Sequence, residues 1–261
     1  MNTTIKLSIA SALAFGAVAA HASIAAPSSG SSDAILFAEV LNAAGTVVAS
    51  YAGDTGVSIS SLISGVSTTV LGSDANLAKL FAADTGTDTI EWAVQGGQYT
   101  GSNTTTNFGT SGSAKFITTS TLNSTGKLAA DTTANLTHWA GLNTDISTIN
   151  TNSGGASSVE GPAASGAGVW DDNTPSGTSG WYSNGPVTAN VLGSSQTLFY
   201  VTGNGTGNLT KVAYSALATT AQLTSGGLVL SSSPVPLPPA LWLLGSGLLG
   251  FAGVARRKLA V

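Results

Sequence analysis

The chain has 261 residues, 42% of them hydrophobic and only 8% charged, with a formal net charge of −4 and no cysteine. The missing thiols exclude disulfides, cysteine nucleophiles, iron–sulfur clusters and cysteine-ligated zinc. Outside the C-terminal triplet Arg256, Arg257 and Lys258, its few basic residues form no patch of the kind a nucleic-acid partner requires, so none is expected.

Lys6 precedes an apolar run from Leu7 to Ala20, and Ala20-His21-Ala22 supplies small residues at the −3 and −1 positions of a signal-peptidase site. Residues 1–22 therefore read as a signal helix cut before Ser23, the run being too short for a spanning anchor. A flexible lead-in over 23–32, with Pro27 and Gly30, follows it. One β-rich exported domain is expected over 33–230.

Ala34–Leu41 and Thr46–Tyr51 are β-prone runs joined by Asn42-Ala43-Ala44-Gly45, a hairpin pattern. Val57–Gly65 fits neither the helical nor the strand period. Ser73 or Asp74 is placed to cap a helix over Ala75–Ala82, with Leu77, Leu80 and Phe81 on one face. Asp84 and Asp88, four residues apart in a polar loop, are candidate calcium ligands, although capping and turn-making explain the same residues. Thr89–Gln95 alternates as a strand, and Gly96-Gly97 is expected to end it.

A polar loop over 98–112 leads to a strand at Ala114–Thr119. Gly126–Ile149 reads as one or two helices broken near Gly141. His138 lies within it; once the signal is removed it is the only histidine, so any serine–histidine catalytic site would have to use it. No nucleophile-elbow motif accompanies it. The glutamates are Glu39, Glu91 and Glu160, and nothing in the sequence marks two of them as a glycosidase pair. Catalytic and cofactor-binding residues are therefore not assigned.

Thr151–Pro186 loosens into Gly, Ser and Ala, a long surface excursion. It carries Trp170, Trp181 and Tyr182 beside Asp171 and Asp172. The aromatics are candidates for stacking on sugar rings, or for folding back on the core, and the two aspartates are further calcium candidates. Gln196–Val201 and Leu209–Tyr214 form a second expected hairpin around a glycine-rich loop, and Gly227–Leu230 a final strand. Five matches to the N-glycosylation sequon begin at Asn103, Asn123, Asn135, Asn204 and Asn208. The fold class expected is mainly β with a few helices, α+β and sandwich-like, plus one helix at each end.

The C-terminal end is the most specific stretch. After a linker over 231–236, residues 237–255 run without a charge, and 19 residues at about 1.5 Å each match a hydrocarbon core of about 30 Å. Arg256, Arg257 and Lys258 follow in a basic tail over 256–261, which the positive-inside rule places in the cytoplasm. Val235-Pro236-Leu237-Pro238, the apolar helix and the basic triplet, in that order, resemble the PEP-CTERM sorting signal of Gram-negative bacteria. The family motif is Val-Pro-Glu-Pro, and Leu237 stands where the glutamate would be. The resemblance covers about the last tenth of the chain. It implies export, retention in the inner membrane, cleavage by an exosortase-type protease, and association of the body with exopolysaccharide and biofilm at the cell surface. An ordinary single-pass anchor is the alternative the same residues allow.

Loss of both ends leaves Lys79, Lys115, Lys127 and Lys211 against twelve acids, a net charge of −8, and takes away the only methionine and every arginine. The body is expected to be non-enzymatic and without a cofactor. A glycan- or calcium-dependent binding module is the alternative function, and a periplasmic hydrolase a further one.

Overall fold

The computed structural model describes residues 23–27, 32–99, 114–120, 142, 146–147, 149–151, 153–161, 190–203 and 212–232. Chain order is β1 (Asp33–Leu41), β2 (Val47–Ser58), α1 (Ile59–Ser64), β3 (Thr68–Val70), α2 (Ala75–Ala83), β4 (Thr89–Tyr99), β5 (Ala114–Ser120), β6 (Ser158–Gly161), β7 (Asn190–Val191), β8 (Ser195–Gly203), β9 (Val212–Thr224) and β10 (Gly227–Ser232). Leu142, Ile146, Ser147 and residues 149–151 have helical backbone. The mainly β body with a few helices expected from the sequence is what these residues form. Among the described residues no helix is long and apolar enough to cross a membrane. The expected signal and C-terminal helices lie outside them.

The strands make one antiparallel sheet in the order β3-β10-β9-β8-β5-β4-β1-β2-β6, with β7 added to β4. It curls on itself. Leu228 and Leu230 of β10 share a core with Leu36 and Ala38 of β1, although four strands separate them along the sheet. Trp92, Tyr51, Leu62 of α1, and Leu77 and Leu80 of α2 fill the same inner core. The outer face is covered separately: Ile35, Phe37, Ala52 and Ala93 pack against Leu142, Ile146, Ile149 and Ile24. Alternation along β1 sends even-numbered residues inward and odd-numbered ones outward, so one strand supplies both cores.

The first hairpin is as expected. Asn42 Oδ1 accepts from the N–H groups of Ala44 and Thr46, both at 3.0 Å, and Gly45 takes a φ of 74°. A short asparagine side chain and a glycine in the left-handed region are what such a turn requires.

Val57–Gly65, which fits neither period, is a junction. β2 runs through to Ser58, whose hydroxyl then caps α1 by accepting from Ser61 N at 3.2 Å. At the other end of α1, Thr219 Oγ1 of β9 donates to Leu62 O at 3.1 Å, satisfying one of the carbonyls a helix leaves orphaned. Helix α2 has the expected cap, with Asp74 Oδ1 accepting from Leu77 N at 2.8 Å.

Three expectations need correction. Gly96 and Gly97 do not end β4, which continues to Tyr99. A Cβ on Gly96 would lie 2.5 Å from Ile59 Cδ1, and one on Gly97 2.6 Å from the Phe116 ring, so these glycines let neighbours approach a continuing strand. The excursion expected over 151–186 contains β6, which pairs with β2 and buries Val159. The linker expected from 231 begins later, because β10 continues through Ser231 and Ser232.

Candidate functional site

The structure describes the residues next to both expected processing sites. Ser23–Pro27, expected as a flexible lead-in, is tied to the body. Ile24 is 2% exposed. Its N–H donates to Asn150 Oδ1 at 2.9 Å, and Asn150 Nδ2 donates to its carbonyl at 2.8 Å, so one amide side chain imitates a strand partner. Tyr99 N donates to Pro27 O at 3.0 Å, and Pro27 is buried. Ser23, the residue expected to follow the signal cut, is exposed. At the other end, Ser232 N donates to Ser67 Oγ at 3.0 Å, and a Cβ on Gly65 would lie 2.7 Å from Ser232 Oγ.

A shallow depression of about 280 Å³ lies beside the first of these junctions, lined by Ala25, Ser32, Asp33, Ser58, Ser60 and Gln98 among others. Ser32 Oγ donates to Gly97 O. Hydroxyls and one carboxylate can hold water or a small polar group, but they do not assemble a nucleophile with a base.

The calcium candidates Asp84 and Asp88 come together in the loop after α2, where they build the loop itself. Asp84 Oδ1 accepts from Gly86 N at 2.7 Å, and Asp88 Oδ2 accepts from Thr85 N at 3.1 Å and from Thr85 Oγ1 at 2.8 Å. Among the described residues no group of three or more His, Asp or Glu stands close enough to hold a metal ion. Because a cation would have to compete with these bonds and with few further oxygens, millimolar calcium is expected to leave the melting temperature unchanged. Asp88→Ala is expected to lower stability by about 1 kcal/mol through the lost loop bonds. Thermal melts with calcium and with chelator check both, and a calcium-dependent rise in melting temperature that Asp88→Ala abolishes would restore the metal reading.

The register also pairs two carboxyls that are far apart in sequence. Glu39 of β1 stands directly opposite Glu91 of β4, and Glu39 is 1% exposed. Directly opposed residues have Cβ atoms about 4.5–5.5 Å apart, so the two side chains start out as neighbours. Neither lines the depression described above. Sequence reasoning had both residues in hand but no signal for the pairing, which is a property of register alone.

Tyr51 is fully buried in the inner core. Burial first, and then the Asp74 and Asp54 carboxylates, hold its phenol far above the usual tyrosine range, so it keeps its proton. Asp74 acts on it chiefly through charge, since the hydroxyl has no partner at ordinary hydrogen-bond geometry. A phenol this reluctant to ionise is a packing group and a poor general base.

No family model, curated protein or solved structure matches the chain. The remaining candidates lie outside the described residues: Ala20 and Ala22 of the signal site, His138, the group Trp170, Asp171, Asp172, Trp181 and Tyr182, the five sequon asparagines, and Val235, Pro236, Leu237, Pro238, Arg256, Arg257 and Lys258.

Proposed function

We propose that the chain is an exported, non-enzymatic surface or extracellular-matrix protein. Its signal carries it across the inner membrane, its C-terminal helix holds it there with the body in the periplasm, and an exosortase-type protease then acts at Val235–Pro238. The released or transferred body serves exopolysaccharide and biofilm structure. The observation that carries this reading is the order at the C-terminus: proline motif, uncharged run of membrane length, then Arg256, Arg257 and Lys258. The body supports it in a limited way. Asp74, Asp84 and Asp88 are engaged in cap and loop bonds.

Intact mass of the protein from its native cell tests the whole reading at once. The expected mass lacks residues 1–22 and the chain beyond the proline motif, with any glycans appearing as added mass. Replacement of Pro236 and Pro238 together by alanine is expected to leave most of the chain uncut in the membrane fraction. A wild-type tail that stays intact in an exosortase-positive cell would reduce the sorting signal to an ordinary anchor.

A further inference from the structure

We propose that the corner of the body formed by α1 and the end of β10 rests on the bilayer surface while the chain is anchored. This deepens the sorting reading above and rests on it. Both ends of the described body, at Ala25 and Ser232, meet at α1, and Ser232 is the one that leads to the proposed anchor. Ala25, the third residue after the expected signal cut, lines the depression with Ser58 and Ser60 at the start of α1. Ser232, the last residue of β10, contacts Gly65 and Ser67 just past its end. A helix of six residues spans only about 9 Å.

Tether length then fixes which side faces the membrane. Three residues separate Ser232 from Pro236, so at full extension their Cα atoms lie no more than about 14 Å apart. A body of about 210 residues has a radius of gyration of about 17 Å. A tether shorter than the body's own radius prevents the body from turning its far side to the bilayer.

Closeness of the two ends is common in folded domains and would not orient the body by itself. The chemistry of the corner is the independent support. No charged residue occurs from 55 to 73 or from 212 to 232, whereas the processed body as a whole carries −8. Ser60, Ser61, Ser64 and Ser67 are exposed here, and Ile63 is 40% exposed, one of four large apolar side chains exposed among the described residues. A carboxylate pressed into the headgroup layer loses hydration, so an acidic body is disfavoured there wherever it presents one. Among the described residues this corner presents none except Asp33, which is partly buried at the α1 start. Hydroxyls with one exposed isoleucine suit a headgroup layer.

The absence of cysteine makes the test clean. Ile63→Cys and Ala44→Cys are made separately in the full chain. Ala44 is exposed in the β1–β2 turn, and the nine residues of β1 place that turn about 30 Å from the end that leads into α1. Each variant is expressed in a host without an exosortase-type protease, and spheroplasts are labelled with a membrane-impermeant maleimide before and after detergent solubilisation. Relative to its own rate in detergent, Ile63→Cys is expected to label about tenfold more slowly while anchored, and Ala44→Cys at an unchanged rate. Equal relative rates for the two variants in membrane-associated chain overturn the orientation alone. Protection of Ile63→Cys that survives detergent assigns the corner to a protein partner and also overturns it. A chain absent from the membrane pellet overturns the anchor reading, and this inference with it.

Discussion

Trp92→Ala is expected to destabilise the body by about 3–5 kcal/mol, the range for emptying a fully buried large aromatic site. Trp92 is 0% exposed, at the centre of the inner core where β1 and β4 meet the curled-over strands. Its indole N–H also donates to Val191 O at 3.0 Å, and Asn190 Nδ2 donates to its backbone carbonyl at 3.2 Å. These two bonds hold β7 against β4, so truncation both opens a cavity and leaves the Val191 carbonyl without its indole partner. Trp92→Phe separates the effects: most apolar volume stays, the bond goes, and the expected loss falls to about 1–3 kcal/mol. Urea unfolding followed by far-ultraviolet circular dichroism measures both. Since a domain of this kind holds about 5–15 kcal/mol in total, the alanine variant should approach unfolding at ordinary temperature. Equal losses for Ala and Phe would mean that the hydrogen bond, and not the filled volume, is what the core depends on.

How much of this fold the sequence discloses depends on whether local pattern or long-range pairing decides an element. The Asn42–Gly45 turn and the cap at Asp74 are legible because each is completed within a few residues. The Gly96-Gly97 pair misleads for the opposite reason: its meaning is the approach of Ile59 and Phe116, residues that only the folded sheet brings there. The second half of β9 is missed because Ala216–Gln222 carries no aromatic residue and only two β-branched ones, Thr219 and Thr220, among small residues. Its inward positions, Leu217, Thr219, Ala221 and Leu223, alternate correctly, but Thr219 is buried by bonding to a helix carbonyl that sequence cannot anticipate. β6 hides inside a Gly/Ser/Ala stretch because an edge strand of four residues needs little propensity when β2 supplies the ladder.

The candidate sites divide in the same way. Asp84 and Asp88 were readable as a loop pair, and the alternative to metal binding, turn construction, was readable with them. The Glu39–Glu91 pairing was not, since antiparallel register between β1 and β4 is set by the whole inner core. The expected processing sites are read from linear chemistry, which is why they stand out in the sequence. What the fold adds is how closely they abut it, with Ile24 buried two residues past one and Ser232 paired three residues before the other.

Gly227→Ala is expected to cost about 3 kcal/mol or more, because backbone strain and collision act together. Gly227 has a φ of 113°, a region that residues with a Cβ rarely adopt. The added carbon would lie 2.5 Å from Val70 O, 2.8 Å from Gly72 N and 2.9 Å from Gly72 Cα. All three are backbone atoms, so no rotamer change relieves the contact; β3 or the β9–β10 hairpin must move. Leu71, next to this contact, already has a φ of 61°, which shows how tightly the segment is drawn over the hairpin. Gly226→Ala is the control: its Cβ would meet only Thr224 Oγ1, at 3.7 Å, and a loss of no more than about 0.5–1 kcal/mol is expected. Because β10 ends at Ser232, three residues before Val235, the damage should also reach the proposed tether. A loosened β10 lengthens the tether, so Gly227→Ala in the full chain should erode the protection of an Ile63→Cys label while Gly226→Ala leaves it intact. Urea unfolding and the maleimide rates together decide this, and a Gly227→Ala protein as stable as wild type would show that the β3–β10 contact is looser than these distances require.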